Sequence, residues 1–243
     1  TALGSRVSRL DFDIANRDGT TLSRRFAFFS KRAEGQPDRL LVYFLAPELE
    51  RGTIFLSLDP VDPAEPSRIW LFLSALGQVK ELVSDSDRSA GFAGSSLRND
   101  QLGSGLDYGE DYTGELLGQE TITLRWLGAE RSRAAYKVAL TQRPEAEVDF
   151  PSGTVWVDVE TFVTLRGELV NAGGQLEQVL TPDDFIEFDG KLEPNVIAVE
   201  DVLDGGRTTI TVQQRLDVGE LPDEIFTPEA LSDFDPADFG VEG

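Results

Sequence analysis

The sequence predicts a mainly β protein, with about eleven strands in a single antiparallel sheet and only short helices. Three observations predict it. Apolar and polar residues alternate with period two along most of the chain, while the helical period is almost absent. β-rich runs return at roughly 8–12-residue spacing, the interval that marks all-β folds. The connectors Asn-Ala-Gly-Gly at 171–174, Asp-Gly at 189–190 and Asp-Gly-Gly at 204–206 are hairpin chemistry.

The elements follow in order. "RLDFDIA" puts Leu10, Phe12 and Ile14 on one face, turn residues fill 16–19, and "TLSRRFAFFS" returns as the second arm of a hairpin. "DRLLVYFLAP" at 38–47, "GTIFLSLD" at 52–59 and "RIWLFLS" at 68–74 carry bulky apolar residues at consecutive positions, so both faces of the sheet are expected to be covered there. Between them "PELERG" reads as one helical turn and "PVDPAEP", 60–66, as a stiff Pro-rich loop. After the Ser/Gly-rich stretch 84–102 comes "YTGELLGQETITLRWLG", broken by glycines, and then a meander of clean strands in which Val155, Val157 and Val159 share a face opposite Trp156. Near the end a short helix is expected, capped by Thr227 with Pro228 at its first position, followed by an acidic, frayed tail at 231–243. No linker divides the chain, so 1–243 reads as a single domain.

Composition narrows the function. With 15 Phe, 3 Trp and 4 Tyr in 243 residues there is enough apolar bulk to fill a core. The 44 acidic residues against 22 basic ones leave a net charge of −22, a field that repels phosphate backbones and excludes nucleic acid as a partner. Only four of the basic residues are lysines. An acidic, lysine-poor surface fits adaptation to high salt, and equally the arginine bias of a GC-rich genome. Cys, His and Met are all absent. That removes thiolate nucleophiles, Ser-His-Asp hydrolysis and the usual zinc and haem ligands. The sequence starts at "TALGSRVSRL" without Met, and a signal or anchor segment is expected upstream.

The stretch "SDSDRSAGFAGSSLRNDQL", 84–102, looks at first like a catalytic or phosphate-binding loop. It has no lysine to reach a phosphate, and Ser89, Ser95 and Ser96 have no histidine; a Ser-Lys dyad would have to recruit Lys80 from a neighbouring strand. Carboxylate pairs such as Asp183 with Asp184 or Glu110 with Asp111 arise by chance at this composition and read as a solvated face. "SDSDRS" and "DFDPAD" lack the spacing of a calcium loop, so no metal and no cofactor is expected. Trp70, Trp126 and Trp156 each read as core fillers. The sheet as a whole either packs on itself as a sandwich or closed barrel, or curls incompletely around helices and leaves an apolar hollow. The two-faced strands favour the hollow.

The run "APELERGTIFLSLD … RIWLFLSALGQVKELVSDSDRSAGFAGSSLRNDQL" resembles the outer-membrane lipoprotein-sorting family, relatives of LolA. Pro47, Gly52 and Thr53 open a strand, Trp70 leads to an "ALG-V" turn, and Arg88, Phe92, Gly94 and Ser95 mark the loop before a short helix with Asp100. "VWVDVETF", "GGQLEQVL", "FIEFDGKLEPNVIAVEDV" and "LPDEIFTPEAL" extend the resemblance over about 6–231. Departures lie in the same region: "VKEL" stands where the family has further basic residues, Ala93 replaces a Met, and "SLRNDQL" lacks an aromatic.

The resemblance implies an incompletely closed antiparallel β-barrel draped over short helices, of the LolA/LolB kind. It implies a non-enzymatic, exported or periplasmic monomer that shields a lipid or the acyl chain of a lipoprotein, with a membrane transporter as a further partner. Phe44, Phe55, Trp70 and Phe72 are then the expected pocket aromatics and Phe92 the lid, with Arg88, Gly94 and Asp100 shaping the loop. One rival is the same half-barrel docking or sensing a protein without a lipid. Another is carboxylate chemistry at Asp87, Asp100 or Asp183.

Overall fold

The computed structural model of the chain describes residues 4–62, 65–104, 111–146, 148–216 and 218–241. Pro63 of the Pro-rich loop, Glu110 of the carboxylate pair and the last two tail residues lie outside these. Thirteen strands are hydrogen-bonded into one sheet. They are β1 (Gly4–Ala15), β2 (Thr21–Arg32), β3 (Asp38–Ala46), β4 (Ile54–Asp59), β5 (Arg68–Leu73), β6 (Gln78–Glu81), β7 (Tyr112–Trp126), β8 (Ala129–Gln142), β9 (Ser152–Asp158), β10 (Thr164–Val170), β11 (Leu176–Phe188), β12 (Lys191–Asp201) and β13 (Gly206–Leu216). The helices are short: α1 (Asp85–Arg88), α2 (Asn99–Ser104) and single 3-10 turns, one of them at Glu48–Glu50 where one helical turn was expected.

Two features exceed the sequence reading. β6 is a four-residue polar edge strand whose only apolar residue is Val79, so it has no alternation to announce it. β7 is one strand of 15 residues, not a broken one. Gly118 takes φ of 152° at a bulge where the register against β8 shifts, so the glycine bends the strand instead of ending it.

The chain forms two compact units. The first comprises 1–13, 22–107 and 212–243. In it β1 to β6 follow one another in the sheet, β3 to β6 as antiparallel neighbours. Pairing of Phe26 with Phe44 and of Val42 with Phe55 puts these rings on one face. Ala27, Phe29, Leu41, Ile54, Leu56, Trp70 and Phe72 take the other. Both faces are covered, as the two-faced strands predict.

The second of those faces is covered by the C-terminal segment, which is where the expected frayed tail is corrected. Leu221, Phe226, Leu231 and Val241 are buried in the same cluster. Phe234 and Phe239 stack at 5.8 Å and meet Phe29 at 5.1 and 5.5 Å. Asp235 caps the 3-10 turn Pro236–Phe239 by accepting the Ala237 N–H, and Gly240 closes it at φ 75°. Apolar contacts and these caps hold a segment whose composition alone argues for solvent. The 3-10 turn Pro228–Ala230 stands where the short helix was expected, but the Thr227 hydroxyl donates back to the Glu224 carbonyl and does not cap it.

The second unit comprises 14–21 and 108–211. Its sheet runs β10-β9-β8-β7-β11-β12 into the start of β13. A further β10–β11 pairing makes a ring of five strands. The ring does not close as a regular barrel: the ladder between β7 and β11 is a single parallel bridge of Trp126 with Phe185. Leu124, Trp126, Ala135, Trp156, Leu165 and Phe185 make its main cluster, so Trp126 and Trp156 are core residues. The β11–β12 hairpin turns on Asp189 and Gly190 at φ 51° and 68°, the two left-handed residues that a two-residue hairpin demands.

Candidate functional site

The Ser/Gly-rich loop is a shaped crossover built from backbone bonds. Ser84 caps α1 by accepting the Asp87 N–H at 3.1 Å. Gly91 and Arg98 form an isolated antiparallel bridge, flanked by Phe92 N–H to the Leu97 carbonyl at 2.6 Å and Asn99 N–H to the Ala90 carbonyl at 3.0 Å. The Asn99 amide also donates to the Asp87 carbonyl at 2.9 Å, joining the start of α2 to α1. Position 91 has to be glycine, since a Cβ there would stand 2.4 Å from the Ser95 carbonyl oxygen. Ala93 and Gly94 both take left-handed φ, 49° and 75°, and this reversal aims Phe92 inward.

Phe92 is 1% exposed. Its ring lies 5.1 Å from Phe26, 5.6 Å from Phe44, 5.4 Å from Phe55 and 6.1 Å from Phe12. Fully burying one such ring stabilises by about 1.5–3 kcal/mol, and each well-oriented ring pair adds about 0.5–1.5 kcal/mol. Ser57 shares this face of β4 with Phe55, and its hydroxyl is buried with no hydrogen-bond partner. The α2 helix packs on β3, β4 and β5 beside the box.

Phe44, Phe55 and Phe92, three of the five expected pocket aromatics, therefore come together. Trp70 and Phe72 do not join them, because they lie on the opposite face beneath the C-terminal segment. Period-two parity fixes faces only within a strand, so which of two neighbouring positions turned inward was open. Phe12 and Phe26 are the members missed; Phe12 sits in the alternation of the first strand and Phe26 in the return arm. Of the loop residues, Arg88 donates to the Ser67 carbonyl at 2.6 Å, Gly94 supplies the turn, and Asp100 accepts the Gln101 N–H at 2.8 Å.

Groups capable of chemistry are engaged elsewhere. Lys80 holds Asp87 at 3.0 Å, and this bond, with one from the Ser84 side chain to the same carboxyl, keeps Asp87 below its ordinary range. Ser89 donates to the Asp85 carbonyl at 2.7 Å, and Ser95 accepts the Leu97 N–H at 3.2 Å. Asp183 accepts the Arg125 N–H at 2.6 Å while Asp184 pairs with the Arg125 side chain at 3.3 Å. Among the described residues no helix is long and apolar enough to cross a membrane.

A family model described as an uncharacterized protein matches residues 36–233. The chain belongs to this family, DUF1329. No curated protein matches it. A DUF1329 protein from Desulfovibrio piger superposes with a TM-score of 0.83 at 25% identity, covering 95% of this chain and 92% of its own. A putative outer membrane lipoprotein-sorting protein domain from Vibrio parahaemolyticus gives 0.78 at 21% identity, with 94% and 92% covered. A LolA superfamily protein from Nitrosomonas europaea gives 0.69 at 22%, with 93% and 91% covered. The DUF1329 chain thus has the fold of the lipoprotein-sorting proteins, in line with the resemblance read from its motifs.

Proposed function

We propose that this DUF1329 protein holds and hands over a lipid, a lipoprotein acyl chain or another hydrophobic ligand in the bacterial cell envelope, without chemistry. The observation that carries the reading is Phe92: a side chain carried by a crossover loop, not by a strand, occupies an apolar box that strands supply. Phe12, Phe26, Phe44 and Phe55 are the proposed walls and Phe92 the lid. Withdrawing the ring opens a dry site in which each acyl CH₂ gains about 0.8 kcal/mol. The shared fold of the sorting proteins supports a carrier. The absence of His and Cys from the sequence supports a binder over an enzyme.

Protein docking is the second reading, favoured by Leu116 and Leu117 on β7, which are 62% and 54% exposed. Native mass spectrometry of protein purified from its own host tests the carrier reading, together with titration of a fluorescent fatty acid. A co-purifying lipid and saturable uptake are expected. Consistently empty protein that takes up no fatty acid sinks the proposal and leaves the docking reading.

A further inference from the structure

On the face of β1 opposite Phe12, a cavity of about 230 Å³ is lined by Arg9, Asp11, Arg25, Gln213 and Gln214. Val7 on the same face belongs to the cluster beneath the C-terminal segment, so Arg9 and Asp11 continue that face where the apolar cover stops. Asp11 accepts from Arg25 Nε at 2.9 Å, which fixes the Arg25 fork and leaves its two terminal nitrogens free. Arg9 Nε is buried and has no hydrogen-bond partner. That nitrogen is shut off from the cavity, so what Arg9 brings to the lining is a positive charge that no carboxylate among the described residues pairs. Two guanidiniums against one carboxylate leave one surplus positive charge in the cavity. That is a rare surplus on a chain of net charge −22.

We propose that this cavity binds a singly charged phosphodiester bearing hydroxyl groups. Both arginines line the cavity, and the planar N–H pairs of a guanidinium match two phosphate oxygens in a way that a lysine ammonium cannot. One negative charge balances the surplus, whereas a dianion would face Asp11 as well. Gln213 and Gln214 are exposed residues of β13 at the rim, where a glutamine amide offers both donor and acceptor to a hydroxyl. At about 30 Å³ per water, the volume exceeds what a bare phosphate fills and admits a glycerol on either side of it. The site is on the opposite side of the sheet from Phe92, so it stands or falls independently of the carrier reading.

The test is calorimetric titration of the full chain with glycerophosphoglycerol, alongside flotation with phosphatidylglycerol vesicles in a phosphatidylcholine background. Saturable one-to-one binding is expected, weakened about tenfold or more in Arg9→Gln and again in Arg25→Gln. Circular dichroism confirms that both variants are folded, and Gln213→Leu gives a third, milder probe at the rim. Binding of the soluble headgroup alone makes the cavity a small-molecule site; binding of both probes makes it a headgroup site at a membrane surface. Absence of saturable binding to either probe, or binding that Arg9→Gln and Arg25→Gln leave unchanged, overturns the proposal.

Discussion

The Arg88 guanidinium donates a 2.6 Å hydrogen bond to the carbonyl oxygen of Ser67, fastening the crossover loop to the residue that precedes β5. Ser67 is itself fixed by its hydroxyl bond to Asp59. A charged hydrogen bond of this kind contributes about 1.5–3 kcal/mol. In Arg88→Gln the amides of Phe92, Ser95 and Asn99 should exchange hydrogen faster, and a fluorescent fatty acid should enter faster. Unchanged exchange would mean that the backbone bridge at Gly91 and Arg98 holds the loop alone.

Phe92→Ala removes the ring from the middle of four others. The expected loss is about 3–5 kcal/mol, read from urea denaturation, because the strands around it cannot collapse into the space. The same variant should bind small apolar molecules that the parent excludes, with part of the lost stability restored by mass action. A loss below about 1 kcal/mol would show that Phe92 is not packed as described.

Asp158 is fully buried. Burial alone would push its pKa up, but the Arg133 fork at 2.8 Å and the bonds from Thr161 and Glu160 outweigh it and hold the value at about 2. The unfolded chain, near 3.9, binds the proton more tightly. The stabilisation is therefore present above about pH 4 and is lost as pH falls through about 2, amounting to about 2 kcal/mol. Asp158→Asn should cost a similar amount at neutral pH and flatten the acid limb of the stability curve. An unaltered acid limb would assign that limb to other carboxylates.

The docked C-terminal segment makes its own prediction. Lys31 pairs with Asp223 at 2.6 Å and Glu220 at 3.1 Å and donates to the Leu221 carbonyl at 2.8 Å. The two carboxylates raise the Lys31 pKa. Phe234→Ala, which removes the ring between Phe29 and Phe239, should cost about 2 kcal/mol and expose the segment to limited proteolysis. Resistance equal to the parent would locate the holding energy at Leu221 and Phe226 instead.

The strands were legible because alternation and turn dipeptides are local properties, and the position of Phe92 was legible through the motif around it. That Trp70 and Phe72 lie on the face opposite Phe44 and Phe55 was not legible, because parity relates neighbours and says nothing about which face a distant loop will cover. The tail misled for a different reason. Its aspartates dominate composition, while Phe234, Phe239 and Val241 have no strand or helix period to reveal a common face. The Arg9 cavity was invisible for a third reason: it joins β1, β2 and β13, and no local signal reports which strands become neighbours across two hundred residues.

On the carrier reading proposed above, Phe92 is also a competitor built into the chain. Any molecule entering the box has to displace a ring that is already well packed there, so its apparent dissociation constant is its intrinsic one divided by the fraction of chains with the ring withdrawn. Weak apolar binders are thereby refused whatever their shape. On the same reading a departing cargo is replaced by the protein's own side chain, so the emptied site would not present bare phenyl surface to water or to another molecule.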